Sequence, residues 1–352
     1  MSTPRITVLL SMHNAARYVR VAVASVLAQS WRDFECIVID DASTDDSAAI
    51  VEALGDPRIR ILRQRENIGL TRCLNLGLRE ARGEFVARQD ADDLSSPERF
   101  ALQVTFLDAH PEVPLVGTQA RLVDQHGHSR GTRDLPLDPG GIRWLSLFDN
   151  PVIHTAAMFR AAVVRDEIGG YDESFPCCQD YALWARVLEK YPVHNLPEHL
   201  VTVREHDASV SATRGTEARA MVRRVVRRLA DAWLPALALG EEDVDLLCRF
   251  RSHLAPEEVA PFHALEARLW RECVTHFPHM AADPDALWAR AAMSVRIGYN
   301  LLTRDRFLAA SEVLRAVRTW PAVAADLPWA RMVALFVFGD SARGIFERVR
   351  RG

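Results

Sequence analysis

The sequence predicts an α/β protein: a mostly parallel central sheet flanked by helices, followed by an all-α C-terminal domain. Three observations predict it. β-branched apolar runs alternate with helix-periodic stretches over the first two-fifths of the 352 residues, and strands separated by helices pair in parallel through right-handed crossovers. Three of the presumptive strand ends carry polar punctuation, at Ser11-Met12-His13-Asn14, Asp40-Asp41 and Asp90-Ala91-Asp92-Asp93. Beyond about Thr213 the chain turns Ala-, Leu- and Arg-rich and is broken by prolines.

The elements follow in order. Ile6–Leu10 is a β-branched apolar run that reads as a first strand, followed by a helical stretch over about 16–29. Glu35–Ile39 is a second buried strand. It ends at Asp40-Asp41-Ala42-Ser43-Thr44, where Ser43 or Thr44 is placed to cap a helix through Ala48, Ile50, Val51 and Leu54. Arg58–Leu62 is a third strand, and Leu70–Arg82 is a helix with Leu70, Leu74, Gly77, Leu78 and Ala81 on one face. Glu84–Ala87 is a fourth strand. After the acidic cluster, Pro97 opens a helix through Phe100, Val104 and Leu107. Further strands are expected at Leu115–Gly117, Arg121–Asp124, Ala156–Phe159 and Leu200–Val203, with a helix over Tyr181–Tyr191. The domain boundary is expected near Ala212–Gly215, dividing residues 1–212 from 213–352. Helices of the second part should break at Pro235, Gly240, Pro256, Pro261, Pro278, Pro284, Pro321 and Pro328.

Bulk properties narrow the function. With 49% hydrophobic residues the chain has ample material for a large core. A formal net charge of -4 provides no global attraction to nucleic acid, so no nucleic-acid partner is expected. The six cysteines show no paired metal spacing and read as free thiols. The first apolar run is too short for a signal peptide, and no stretch reaches the ~20 apolar residues of a membrane span. A cytoplasmic protein is therefore expected.

Asp90-Ala91-Asp92-Asp93 concentrates carboxylates at a strand end, where in open sheets ligands collect. Such groups repel one another unless a cation or basic partner sits among them. Oxygen ligation suits Mg2+ or Mn2+, which use one or two carboxylates plus substrate phosphates. A solvated loop capping the next helix is the competing explanation. The order strand, D-x-D-D, loop, proline, helix is more specific than the triplet alone. So is the upstream stretch Asn67-Ile68-Gly69-Leu70-Thr71-Arg72-Cys73-Leu74-Asn75-Leu76-Gly77-Leu78.

At these residues the chain resembles the inverting family 2 glycosyltransferases of the GT-A, Rossmann-like fold. The matching segments are Ile6–Asn14, 23–29, Cys36–Asp45, Glu66–Gly77, Gly83–Asp93 and Gly169–Arg186, together covering roughly residues 4–210. The resemblance implies transfer of a sugar from a nucleotide-diphosphate donor, a UDP-sugar being expected, to a saccharide or lipid-linked saccharide, in a bacterial surface polysaccharide pathway. It implies Asp41, with Asp40 beside it, against the nucleobase, and Arg72 near the diphosphate. Asn14 joins the donor-binding set at the end of the first strand. Asp90 is implied toward the sugar or ribose, and Asp92 on an Mn2+ or Mg2+ ion. Turn formation and helix capping remain an alternative for Asp40 and Asp41, and a solvated position for Arg72.

The stretch Gly169-Gly170-Tyr171-Asp172-Glu173-Ser174-Phe175-Pro176-Cys177-Cys178-Gln179-Asp180 resembles the family's acceptor-side motif, which places Asp180 as the base. A helix N-terminus favours an ionised Asp. Gln179 departs from the motif by replacing the usual Glu, which puts the role of that charge in doubt. His154 resembles a polar position near the acceptor site. His206 matches a family position that approaches the metal or pyrophosphate; a structural role is the alternative for both histidines.

Arg219, Arg223 and Arg227, with Arg224 and Arg228, line one side of a helix whose other side carries Val222, Val225, Val226, Leu229 and Trp233. Helix 219–233 reads either as a domain-packing helix or as a peripheral contact with the inner face of a membrane. Two rival functions stand beside the transferase. A nucleotidyltransferase would carry a glycine-rich loop after its first strand, and this chain does not. A degenerate nucleotide-sugar-binding scaffold is favoured only by Gln179.

Overall fold

A computed structural model describes residues 3–206, 215–250, 254–301 and 304–320. The chain divides into two compact units: residues 1–137 with 150–225, and residues 138–149 with 226–352. The boundary expected at Ala212–Gly215 falls mainly on residues 207–214, outside the described residues.

In the first unit, nine strands among the described residues form one sheet. They are β1 (Ile6–Met12), β2 (Phe34–Asp40), β3 (Ile59–Arg63), β4 (Phe85–Asp90), β5 (Leu94–Ser95), β6 (Leu115–Asp124), β7 (Ser129–Arg133), β8 (Met158–Arg160) and β9 (Val193–Glu205). The order is β3-β2-β1-β4-β8-β6-β9-β5, with β7 paired to β6. Strands β3, β2, β1 and β4 run parallel, as do β6 and β9. Strand β8 is antiparallel to both neighbours, and β5 and β7 are antiparallel additions.

The continuous apolar character of β1 and β2 follows from burial on both faces, since every residue of each is buried. Helices α1 (Val19–Leu27), α2 (Ser47–Glu52), α3 (Leu70–Glu80) and α4 (Arg99–Ala109) connect these first strands and flank the sheet. Val19, Val23 and Val26 of α1 and Phe100, Val104 and Leu107 of α4 join Val8, Leu10, Val38 and Ala87 in one core.

Several details depart from the sequence expectation. Helix α2 begins at Ser47, not at a Ser43 or Thr44 cap, because those two side chains close onto Asn14 instead. The strands expected at Leu115–Gly117 and Arg121–Asp124 are one strand, β6. Its partner β9 skips from Leu196 to His199 in register at Pro197-Glu198, where a proline lacks the ladder donor. The strand expected at Leu200–Val203 is the far end of β9.

The second unit is helical throughout its described residues: α5 (Pro139–Ser146), the end of α7 (Gly215–Trp233), α8 (Glu241–Arg249), α9 (Pro256–His276), α10 (Pro284–Leu301) and α11 (Arg306–Thr319), with short 3-10 turns at Pro235 and Pro278. The expected break at Pro261 does not occur, and α9 continues through it. One missing N–H removes a single i→i−4 bond, while Val259, Phe262, Leu265 and Leu269 are buried on either side. Segment 138–149 belongs here because Trp144 packs edge-on against Trp270 at 5.1 Å and Asp149 pairs with Arg296 at 3.6 Å. Pro321 and Pro328 lie outside the described residues.

Helix α7 buries Val222, Val225, Val226, Leu229, Ala230 and Trp233. These apolar side chains are covered within the protein. No described helix is long and apolar enough to cross a membrane.

Candidate active site

The register of the sheet brings the three polar strand ends together. Met12 lies opposite Asp40 on one side of β1, and Ser11 lies opposite Asp90 on the other. Side-chain bonds then tie the loops. Asn14 adopts a left-handed conformation (φ 52°), and its Oδ1 accepts the Thr44 N–H at 2.8 Å while its own N–H donates to Ser43 Oγ at 3.0 Å. Asp40 accepts the Ser43 N–H at 3.0 Å, closing its own turn. Asp41 is buried and accepts the N–H groups of Ile68 at 2.7 Å and Gly69 at 3.0 Å, one on each oxygen. It thereby caps the entry to α3, with Gly69 at φ 85° where a side chain would be strained. Arg72, two residues into α3, is exposed and pairs with Glu173 at 3.4 Å.

Beneath the acidic cluster lie two buried arginines. The sequence places Arg88 two residues before Asp90, so both project to the same side of β4. Arg88 is fully buried, pairs with Asp90 Oδ1, and donates from Nε to His154 Nε2 at 3.2 Å and from Nη1 to the Leu9 carbonyl at 3.2 Å. Desolvation pushes the Asp90 carboxyl above the usual carboxylate range, Arg88 opposes this, and Asp92 and Asp180 push it up further. Arg99 of α4 is also fully buried. Its guanidinium donates to Gln103 and Gln89 Oε1, Ser95 Oγ and the carbonyls of Arg88 and Ala157, and burial pushes its pKa down to about 9.

His154 completes this layer. Its Nε2 lies 3.1 Å from Tyr171 Oη as well as near Arg88. Burial, and then the Arg88 charge, hold its pKa well below the usual histidine range, so the ring is neutral and Nε2 accepts. Burial likewise raises the Tyr171 phenol, which stays a donor.

On the other side of the cluster, Asp92 Oδ2 lies 2.8 Å from His206 Nε2. Asp93 is buried and accepts the Arg204 N–H at 2.8 Å, pinning the end of β9 against the acidic loop. Burial and its neighbours Asp90 and Asp92 raise the Asp93 carboxyl well above the usual range. The Tyr18 ring lies between Arg204, whose guanidinium sits 4.8 Å from its centroid, and His206, at 5.4 Å.

Among the described residues no trio of His, Cys, Asp and Glu is arranged to hold a metal by itself. Asp92 and His206 are nevertheless two facing donors of the types that divalent cations accept. A site using few protein ligands and completing its shell from substrate phosphates fits that pair.

Asp180 stands in the first turn of α6 (Gln179–Leu188), behind Cys178 in the left-handed region (φ 56°). Asn150 Nδ2 donates to Asp180 Oδ2 at 2.7 Å. Burial raises the Asp180 carboxyl, while backbone N–H donors, Asn150 and the Arg133 charge pull it back. Gln179 is buried, and its Oε1 has no hydrogen-bond partner among the described residues.

The fold thus joins Asp40, Asp41 and Asn14 in one bonded loop cluster and links Asp90 to His154 through Arg88. It sets Asp92 against His206, and brings Asp180 close enough to Asp90 for their charges to interact. Arg72 engages Glu173 and none of these carboxylates. Sequence reasoning passed over Arg88, Arg204, Tyr18, Tyr171 and Asn150. A charged residue inside the otherwise apolar run Phe85-Val86-Ala87-Arg88 was the available signal for Arg88; the rest depend on contacts remote in sequence.

The family model "Glycosyl transferase family 2" matches residues 7–167. The putative glycosyltransferase EpsE of Bacillus subtilis is 35% identical over 212 residues, spanning 58% of this chain and 74% of that protein. The amylovoran biosynthesis glycosyltransferase AmsE of Erwinia amylovora is 32% identical over 214 residues, 59% of this chain and 79% of that one. Among solved structures, S. aureus TarS 1-349 in complex with UDP is similar with a TM-score of 0.54 at 17% identity, over 91% of this chain and 90% of that chain. The same protein with UDP-GlcNAc gives 0.55 at 16% identity, with the same coverage. The mixed sheet, its flanking helices and these relatives together identify the chain as a glycosyltransferase of family 2 with the GT-A fold.

Proposed function

We propose that the chain transfers a sugar from a nucleotide-diphosphate donor to a hydroxyl of a saccharide or lipid-linked saccharide, with inversion. The observation that carries this reading is Asp180. It is a carboxylate with a raised pKa, anchored at a helix start and close enough to the Asp90 end of the acidic cluster for their charges to interact. A general base needs that placement, opposite the group that departs.

In the reaction, Asp180 accepts the proton of the acceptor hydroxyl as its oxygen bonds to the anomeric carbon. The bond from that carbon to the diphosphate breaks, and its electron pair leaves with the nucleoside diphosphate. Asp41 and Asp40, with Asn14, shape the pocket for the base and ribose. Asp90, held by Arg88, faces the sugar, and Arg72 exchanges Glu173 for the diphosphate. Asp92 and His206 are the residues to hold Mn2+ or Mg2+, which supplies neutralisation of the charge growing on the leaving group. His154 stays neutral and orients Arg88 and Tyr171 on the acceptor side.

UDP-sugars are the donors to test first, because TarS was solved with UDP and UDP-GlcNAc. A polysaccharide pathway is supported by the name of AmsE, an amylovoran biosynthesis enzyme. On α7, Arg219, Arg224 and Arg228 are exposed, with Arg224 donating to Ser174, and this side is the one proposed to meet an anionic surface. The experiment is release of nucleoside diphosphate across a panel of nucleotide-sugars, with and without Mn2+ or Mg2+, for the wild type and Asp92→Ala. Metal-stimulated turnover of at least one donor, lost in Asp92→Ala, is expected. Metal-independent turnover unaffected by the substitution would refute the metal assignment.

A further inference from the structure

The geometry points to Asn150 as the positioning residue for the base: its side-chain amide fixes the orientation of the Asp180 carboxylate toward the acceptor hydroxyl. This inference rests on Asp180 being the base.

The bond spans 30 residues of sequence and joins the loop before Pro151 to the first turn of α6. Its direction is settled by the network. Asn150 Oδ1 accepts the Val152 N–H at 3.3 Å, so the NH2 group is the one that faces Asp180. The flipped amide would oppose oxygen to carboxylate and NH2 to N–H, losing both bonds. The Asn150 backbone carbonyl in turn accepts from Arg133 Nη2 at 3.4 Å, and Pro151 restricts the backbone of Asn150 itself. The side-chain amide is therefore held by Val152, and the Asn150 backbone by Arg133, before any substrate arrives.

The choice of an amide has a chemical consequence. A guanidinium or ammonium at this place would orient the carboxylate equally well, but would stabilise its ionised form so strongly that it became a poor proton acceptor. A neutral donor orients the group at a smaller loss of basicity. A carboxylate offers about four lone-pair sites, so the bonds from Asn150 and the Tyr181 N–H leave capacity for a hydroxyl. The charged and titratable groups whose fields reach Asp180 are Arg133 on β7, Asp90 on β4 and Tyr171. Arg133 favours the carboxylate form; Asp90 and burial oppose it.

The test uses the full chain, a UDP-sugar that it turns over, and water as the acceptor, with UDP release followed from pH 5 to 9. The variants are Asn150→Ala, which removes the donor, and the isosteric Asn150→Asp, which replaces it with a second carboxylate. UDP binding and thermal melting report on folding and on the donor site. Expected are near-unchanged UDP affinity, a fall in kcat and an acid limb displaced to higher pH in both, further in Asn150→Asp. The rate should then fall more at pH 6 than at pH 8, by at most about tenfold for each pH unit of displacement. An acid limb that stays in place while the rate falls overturns the positioning role. Asp180→Asn serves as the control. Full activity in that variant overturns the base assignment together with this inference, whereas an inactive Asp180→Asn with an unmoved limb in the Asn150 variants overturns this inference alone.

Discussion

Asp92 Oδ2 and His206 Nε2 meet at 2.8 Å across 114 residues of sequence, one on the loop after β4 and the other just past the end of β9. Asp93 makes the meeting possible by accepting the Arg204 N–H, which docks the end of β9 on the acidic loop. If this pair holds the divalent cation, His206→Ala should weaken Mn2+ binding about tenfold or more without altering the melt. Titration calorimetry in the presence of UDP checks it. Equal Mn2+ affinity in wild type and variant would assign His206 to the Asp92 hydrogen bond alone.

Arg88 is the buried counter-charge of Asp90. Arg88→Met removes the partner of Asp90 and one donor to His154, and should cost about 2–4 kcal/mol of stability. That is less than for a wholly buried pair, because the Asp90 side chain is about a third exposed. Arg88→Lys should recover only part of this, since one ammonium cannot reproduce bonds made in three directions by a planar fork. Chemical denaturation of the three proteins measures both values.

His154 carries a pH signature. Its folded pKa lies well below 6.5 because of burial and Arg88, so the unfolded chain takes up a proton near pH 6.5 that the folded chain refuses. Its contribution to stability is therefore complete above pH 6.5 and is lost as pH falls below that value. His154→Gln, which retains an acceptor for Arg88, should flatten the decline in Tm between pH 7 and pH 5. A decline as steep as the wild type's would place that proton uptake elsewhere.

Asp41 serves the fold before it serves a substrate. Asp41→Ala leaves the N–H groups of Ile68 and Gly69 without acceptors and should cost about 1–3 kcal/mol, while Asp41→Asn keeps one of the two bonds and costs less. Both should raise the KM for the nucleotide-sugar if this carboxylate also meets the base. A changed melt with an unchanged KM would leave Asp41 with the capping role only.

These residues show where a sequence is readable and where it is not. The strand ends at Asp40-Asp41 and Asp90–Asp93 are legible because local alternation places them at the same edge of a parallel sheet. The helix start at Asp180 is legible by its motif. What local pattern cannot reveal is the partner that each side chain finds. Nothing in the stretch around Asn150 points to α6, and nothing around Trp144 announces that 138–149 packs with Trp270 in the helical unit. The caps expected from Ser43 and Thr44 failed for the same reason: Asn14, some 30 residues away, claimed them.

The most direct measurement of the central claim is the rate of sugar transfer by Asp180→Asn, with nucleotide binding measured on the same preparation. With Asp180 as the base, kcat falls at least ~10²-fold while UDP affinity stays intact, the scale of a general-base contribution. Transfer by Asp180→Asn at the wild-type rate would contradict it.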